Sequence, residues 1–417
     1  MNHERITLFE GRRIILGVTG SIAAYKAVDL ASKLTQAGAL VDVIMTEAAQ
    51  QFVTPLTFRA VTGRGVYTDM WQTDGAGALP THIAHVGLAE GAALLAVIPA
   101  TADSLARLAH GLANDLLSVT ALAARCPLVL APAMDGGMYA HPAVQANLRT
   151  LIERGALVIE PEEGRFASGL HGKGRLPETA TLIGGLRRAL GAGGSLAGRR
   201  VVVTAGGTRE PIDPVRYITN RSSGKQGYAL AQAALDAGAD VTLITSSNLP
   251  DPVGARIVHI HTAAELFTAT LSAVEDADAL IMAAAVADFR PRTVAEHKIK
   301  KSDDGSGLII EMERNPDILA AVTERRRLSR FPRVVVGFAA ESHDLITYAQ
   351  DKLKRKGLDL LVANDITATD AGFEVETNRV ILIDGNGIEQ LDLMSKTRVS
   401  ETIIGRIADR LNKGTGA

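Results

Sequence analysis

Arg13-Ile14-Ile15-Leu16-Gly17-Val18-Thr19-Gly20-Ser21 decides how the first half of this chain is read. A short apolar run rich in isoleucine and valine feeds a Thr-Gly-Ser turn, and Ile22 to Ala37 then shows the spacing of an amphipathic helix. The same order begins again at Arg200-Val201-Val202-Val203-Thr204-Ala205, which leads into Gly206-Gly207-Thr208. Strand, small-residue turn and helix, alternating along a chain, make a parallel sheet with helices on its faces. The fold class expected is therefore α/β, with two Rossmann-like domains and mainly parallel sheets.

Working outward, the first half offers further strands at Leu40 to Met45, Ala93 to Ile98, Leu128 to Ala131 and Leu157 to Ile159. Helices fit Ala102 to Leu108, Asp115 to Ala124 and His141 to Arg154. The glycine-rich, charged stretch Glu160 to Arg175 has no apolar period and reads as a mobile loop. Gly191-Ala192-Gly193-Gly194-Ser195 reads as a linker, which divides the chain into residues 1–190, a connection 191–198 and residues 199–417. Beyond it, strands fit Val241 to Thr245, Arg256 to Ile260, Ala279 to Ala283, Val334 to Phe338 and Leu358 to Val362. Val380 to Ile383 with Asp384-Gly385-Asn386-Gly387 reads as a hairpin, and Ser395 to Leu411 as the closing helix.

A length of 417 residues with 47% apolar content supplies two ordinary cores. The formal net charge of -2 gives no global pull toward nucleic acid or membrane, so any phosphate site must come from local clustering. Cys126, the single cysteine, precludes an internal disulfide and suits a reducing compartment. Met1 to Arg13 has no signal-like apolar core, and Ala92 to Ala100 is too short to span a bilayer, so a cytoplasmic protein is expected.

The second half carries a cluster suited to a charged ligand. Asn220-Arg221-Ser222-Ser223-Gly224-Lys225 supplies an amide, hydroxyls and cations, and Asp288 reads as a carboxylate at a strand end near Lys298, Lys300 and Lys301. Lys352 and Lys356 stand one helical turn apart. Lysine runs are usually solvated faces, but a neighbouring carboxylate suits a magnesium-bound phosphate. Two standard nucleotide motifs fail. Gly206-Gly207-Thr208 does not complete G-x-G-x-x-G, and Thr245-Ser246-Ser247 stands where a ribose-binding acid belongs. Gly224-Lys225 imitates a P-loop end, yet Thr219 and Gln226 occupy its required glycine and Ser/Thr positions.

Taken in order, these segments resemble the bifunctional phosphopantothenoylcysteine decarboxylase / phosphopantothenate–cysteine ligase family of bacterial coenzyme A biosynthesis. The resemblance is carried by Thr208-Arg209-Glu210-Pro211-Ile212-Asp213-Pro214-Val215-Arg216, Ala283-Ala284-Ala285-Val286-Ala287-Asp288, Asn315-Pro316-Asp317-Ile318, Gly337-Phe338-Ala339-Ala340-Glu341 and Ala363-Asn364-Asp365. It implies a CTP-dependent ligase in the second half. Lys298, Asn315, Pro316, Asp317, Ile318, Phe338, Lys352 and Lys356 would contact CTP, with Asp288 by a Mg2+ ion. The carboxylate of 4'-phosphopantothenate would attack the α-phosphate, and the amine of L-cysteine would then displace CMP from the acyl-cytidylate. Lys298 would stabilise charge during activation, Asn220 would hold the acyl carbonyl, and Arg216 would engage the substrate phosphate. Asn220 by itself could equally be a turn residue, and Arg216 a surface cation.

For the first half the resemblance implies a flavoprotein-type domain that binds FMN through Thr19, Gly20, Ser21, Thr46 and Thr101. A turn ahead of a helix N-terminus can cradle a monophosphate, although a plain connection is the commoner meaning of such a turn. In Leu79-Pro80-Thr81-His82-Ile83-Ala84-His85 the family's active histidine falls on His85, and His82 reads as a surface residue. Two positions depart from the family. Pro132-Ala133-Met134-Asp135 ends in aspartate instead of asparagine. An ionised carboxylate ~4 Å from that of a substrate would cost about 4 kcal/mol at an effective dielectric near 20, so Asp135 is either protonated or engaged elsewhere. Ser168 replaces the cysteine expected to protonate an enethiolate, which leaves His171, a water or Ser168 in a relay. Cys126 reads as a small buried apolar residue that does not compensate.

The resemblance further implies a homo-oligomer built from trimeric flavin domains and dimeric ligase domains. Small-molecule substrates are the expected partners, with no nucleic acid and no membrane. The alternatives are an active ligase fused to a non-catalytic flavin-binding or oligomerising domain, and a nicotinamide oxidoreductase resting on the glycine turns alone.

Overall fold

Strand order reverses beside the first strand of each half, and that reversal is what creates a site in each. The computed structural model describes residues 5–71, 83–166, 168–301, 307–341, 345–365 and 375–413. It forms two units, Met1–Gly191 and Ala192–Ala417. In the first, six parallel strands lie in the order Val66–Tyr67, Leu40–Met45, Arg13–Val18, Leu94–Ala100, Leu128–Pro132, Leu157–Val158. The second has the order Arg256–His259, Asp240–Thr245, Arg200–Ala205, Ala279–Met282, Val334–Glu341, Leu360–Asp365, all parallel. Val380–Asp384 and Gly387–Gln390 then extend that sheet antiparallel, as the expected hairpin. In such sheets ligands bind outside the carboxyl ends of the strands, where the order switches.

Near-continuous apolar strands follow from burial on both faces. Ile14, Leu16 and Val18 face one layer of the first core and Ile15 the other, all fully buried. Val201 and Val203 likewise face one layer of the second core and Val202 the opposite one. Each such side chain contributes about 1.5–3 kcal/mol by leaving water. Gly17 lets a helix approach the middle of the first sheet: a Cβ there would lie 2.5 Å from Leu117 Cδ1, on the helix Leu116–Ala123. At the start of that sheet, buried Asp42 accepts from Arg13 (2.6 Å) and Arg64 (2.8 Å).

Expected and observed strands coincide at Arg13–Val18, Leu40–Met45 and Arg200–Ala205. The reading of Glu160 to Arg175 as a mobile loop is corrected. Glu162–Arg165 pairs antiparallel with His171–Arg175. Its glycines hide the strand period because they serve close approach: a Cβ on Gly174 would lie 2.2 Å from Met134 O. Phe166 packs its ring against Gly136 and Gly172, so the hairpin is seated on Pro132–Asp135. Within the expected connection 191–198, Leu196 is fully buried in the second core and its N–H donates to Ala237 O (2.8 Å). Among the described residues no helix is long and apolar enough to cross a membrane.

Candidate active sites

Three threonines meet at the carboxyl edge of the first sheet. Thr19 follows Arg13–Val18, Thr46 follows Leu40–Met45 and Thr101 follows Leu94–Ala100. Thr19 is fully buried; its hydroxyl donates to Pro99 O (2.6 Å) and accepts from Thr101 N (3.1 Å). That side chain therefore staples two strand ends together and has no donor left for a ligand. Thr101 caps the helix Ala102–His110 and pairs its hydroxyl with Ser104 (3.1 Å). Gly20 is fixed by crowding, since a Cβ would stand 2.4 Å from Ala48 Cβ. Ser21, half-buried, accepts from Ala23 N (3.2 Å) just ahead of the helix Ala24–Gln36. Gly20, Ser21, Thr46 and Thr101 thus line one open edge with small polar groups.

His85 is half-buried in the first turn of the helix Ala84–Ala89. Arg13 ties this helix to the sheet through Gly87 O (2.8 Å) and Glu90 O (2.7 Å). His82 lies outside the described residues.

The two departures from the family pattern touch each other. Ser168 Oγ donates to Asp135 Oδ2 (3.1 Å), while Asp135 Oδ1 accepts from Gly137 N (3.0 Å) at the start of the helix Gly136–Tyr139. Both carboxyl oxygens are engaged, and Ser168 anchors the hairpin to the turn beneath it. Beside them, Lys173 and Tyr139 both donate to Glu160 Oε2 (2.7 and 2.9 Å). Burial and the Glu160 bond push the Tyr139 hydroxyl up to about 12. Burial works against Glu160 ionisation, but Lys173 and Tyr139 hold it below the usual carboxylate range. Cys126 is half-buried, and burial pushes its thiol up, away from the reactive thiolate.

In the second unit a cavity of about 400 Å³ opens at the carboxyl edge. Its walls are Asn220 to Gln226, Ala283 to Val286, Phe338, Ala339, Lys352, Asn364, Asn378 and Lys396. Asn220 Nδ2 donates to Val286 O (3.0 Å), which pins the loop to the strand end. The glycine turn nearby is filled by the chain itself: a Cβ on Gly207 would lie 2.7 Å from Asn220 O, and one on Gly206 2.4 Å from Ser246 Oγ. Ser246 and Ser247, which stand where a ribose-binding acid belongs, instead brace this turn through Gly207 O (2.7 Å) and Ser223 O (3.0 Å).

Of the residues expected from sequence, the cavity gathers Asn220, Phe338 and Lys352, and Lys352 Nζ donates to Phe338 O (3.2 Å). Lys298 and Asp288 are exposed and are not part of its wall, so the expected gathering of Lys298 and Asp288 with Lys352 is not what the structure holds. The Lys298 segment is held by Ile299 N donating to Asp213 (3.2 Å) and Arg216 donating to Ile299 O (3.0 Å). Arg216 spends its guanidinium on Asp213 (Nε 3.0 Å), and this holds the Asp213 carboxyl far below the usual range. Asn315 reaches Ala287 O (2.9 Å) and Asp288 O, behind the segment that carries the cavity wall. Asp317 caps the helix Ile318–Ser329 next to Pro316 and pairs with Lys356; burial opposes its ionisation most strongly, but the Lys356 bond, the Ala320 N–H and the nearby charges of Lys356 and Arg355 together keep the carboxyl low.

Residues 4–191 match the family model described as flavoprotein, and residues 196–411 the model described as DNA/pantothenate metabolism flavoprotein C-terminal domain. A Coenzyme A biosynthesis bifunctional protein CoaBC of Bacillus subtilis (strain 168) is 46% identical over 414 residues, 98% of this chain and 99% of its relative. The chain belongs to the bifunctional proteins of coenzyme A biosynthesis. Its counterpart in Mycobacterium tuberculosis (strain ATCC 25618 / H37Rv) is 47% identical over 422 residues, covering 98% of each chain. A crystal structure of the C-terminal domain of such a protein is 35% identical, covers 52% of this chain and 98% of its own, and has a TM-score of 0.44.

For a bifunctional enzyme of this family, sequence reasoning missed Asn364 and Lys396 as members of the cavity, while Lys225 stood in the cluster Asn220 to Lys225 expected to meet a charged ligand. Lys225 and Lys396 each open a helix, Lys225–Asp236 and Lys396–Lys413, so two positive helix ends face the same space. Lys396 is buried, and burial first, then Lys225, push its ammonium down to about 8. Nothing marked it in the sequence, where it merely begins an amphipathic helix.

Proposed function

We propose that the second unit joins 4'-phosphopantothenate to L-cysteine at the cost of CTP, and that the first, with FMN, decarboxylates the product to 4'-phosphopantetheine. Support comes chiefly from one juxtaposition: Asn220, Phe338 and Lys352, drawn from three distant segments, line a single cavity with Lys225 and Lys396. That set suits a nucleotide triphosphate, whose charge three lysines and two helix ends can offset.

In the ligase step a substrate carboxylate oxygen bonds to the α-phosphorus and pyrophosphate leaves. The amine nitrogen of cysteine then bonds to the acyl carbon, CMP leaves, and the amine loses a proton. Lys225, Lys352 and Lys396 neutralise phosphate oxygens, and Asn220 orients the acyl carbonyl. Lys298, Asp288 and Arg216 belong to the same reading through the family resemblance, and none of the three lines the cavity. Among the described residues no three His, Cys, Asp or Glu side chains cluster to hold a metal. Mg2+ would thus be held mainly by phosphate oxygens, with Asp288 as its carboxylate, a usual arrangement for this ion.

FMN, when bound, supplies a reversible two-electron oxidation that gives the cysteine carbon an electron sink for loss of carbon dioxide. The edge fits a flavin phosphate in that Gly20, Ser21, Thr46 and Thr101 offer small and polar groups at the strand ends ahead of a helix N-terminus. Thr19 serves by holding that edge in place. His85 acts as the base. Asp135 and Ser168 hold the hairpin 162–175 over the reacting group. Ser168 directs its proton at Asp135, which leaves His171 on the same hairpin, or water, as final donor.

Incubation with 4'-phosphopantothenate, cysteine, CTP and Mg2+ should yield CMP and carbon dioxide in equal amounts. No CMP would overturn the ligase reading. CMP without carbon dioxide would favour the second reading, a ligase fused to a non-catalytic flavin-binding domain, for which the occupied Asp135–Ser168 pair is the specific observation.

A further inference from the structure

One wall of the ligase cavity holds a polar atom that the fold leaves unused. Asn364 is 8% exposed, and its Oδ1 is buried with no hydrogen-bond partner among the described residues. Buried acceptors are almost always paired, because leaving one unpaired costs the full price of its lost hydration. Thr270 Oγ1 and Asn315 Oδ1 share this condition, but only Asn364 lines the cavity.

Its surroundings restrict what it can receive. In the parallel pairing of Val334–Glu341 with Leu360–Asp365, Phe338 stands beside Val362 and Ala340 beside Asn364. Paired residues, and residues two apart on a strand, point to one face, so Asn364 and Phe338 share a face. Phe338, Ala339 and Ala284 make this part of the wall apolar, while Lys225, Lys352 and Lys396 supply positive charge. An ammonium donor would be repelled by those lysines. A phosphate or carboxylate oxygen would set acceptor against acceptor. A flat, neutral N–H donor meets neither objection.

We propose that Asn364 reads the nucleotide base, its Oδ1 accepting a hydrogen bond from the exocyclic amino group of a cytosine seated beside Phe338. This rests on the ligase reading given above and adds to it the residue that sets nucleotide choice. Uracil presents a carbonyl at the corresponding position, so with the Asn364 amide oriented as in the structure Oδ1 would stay unpaired and a repulsion would be added. A site built to hydrogen-bond a ligand N–H discriminates against the analogue that lacks it more sharply than an apolar wall can.

Calorimetric titration of the full-length chain with CTP and with UTP, both with Mg2+, tests this without requiring turnover. The wild-type chain should favour CTP by about tenfold or more, the scale of one buried hydrogen bond. Asn364→Leu, which keeps volume and removes the acceptor, should weaken CTP by about tenfold and leave UTP nearly unchanged. Asn364→Asp, which keeps an acceptor, should retain the preference for CTP, and it carries the test if the leucine variant melts early. Equal weakening of both nucleotides, an unaltered preference in Asn364→Leu, or a raised KM for cysteine with CTP binding intact would overturn the assignment. If the wild-type chain bound neither nucleotide, the ligase reading itself would fall; CTP binding and CMP release with an unaltered Asn364→Leu would sink only this inference.

Discussion

The two sites sit at the same place in the same kind of sheet, yet they treat their polar groups in opposite ways. In the first unit the chain satisfies its own: Thr19 is closed by Pro99 and Thr101, and Asp135 by Gly137 and Ser168. In the second, like charges are crowded together around a cavity, with Lys396 buried near Lys225 and Asn364 Oδ1 unpaired. An internally satisfied edge is preorganised, so a cofactor that stays bound can seat on it without rearrangement. A cavity that crowds like charges and holds an unmet acceptor is stabilised by its ligand, which suits a co-substrate that comes and goes.

If that contrast is right, each site can be disabled separately. His85→Asn should lower carbon dioxide release from phosphopantothenoylcysteine by about 10²–10⁴-fold, the scale of a lost general base, with CMP formation intact. A parallel fall in CMP would break the separation. Asn220→Asp should slow amide formation by about 10²-fold while pyrophosphate release persists, as expected when one oriented donor is lost. Wild-type amide formation by that variant would remove Asn220 from the mechanism.

The next effect concerns pH. Lys396 is charged at pH 7 and neutral well above about 8, so CTP affinity should fall as pH rises from 7 to 9. Lys396→Arg, which keeps its charge, should flatten the fall, and a flat wild-type profile would show that Lys396 does not feel the ligand. The sign for stability is the reverse. Between about 8 and the ordinary 10.5 the unfolded chain binds the extra proton, so the second unit should gain stability with rising pH there, measurable by denaturant titration. The smallest change is expected from Ser168→Ala. Losing its bond to Asp135 should cost about 0.5–1.5 kcal/mol of hairpin anchoring, seen as faster hydrogen exchange at the Phe166 and Met134 amides. Unchanged exchange would mean that packing of Phe166 alone seats the hairpin.

How far the sequence could be read varied with the kind of signal. Strands buried on both faces announce themselves, as at Arg13–Val18 and Arg200–Ala205, because every position must be apolar. The hairpin Glu162–Arg165 with His171–Arg175 did not, since its glycines are chosen for close approach to Met134 and Phe166, and neither strand has an apolar face. Site residues divided along the same line. Asn220, Phe338 and Lys352 were legible through their motifs, whereas Lys396 lay inside a helical pattern that its burial fits equally well.

The order of the buried central strands and of the helices that follow them, the two cores and the residue types able to do the chemistry were settled by the sequence alone, because periodicity and local motifs are properties of neighbours in the chain. Which lysines share a cavity, that Ser168 donates to Asp135, and that Asn364 keeps an unanswered acceptor were decided only by tertiary structure. Those facts depend on distances between segments far apart in sequence, and hydrogen bonds and charge coupling fall away within a few ångströms.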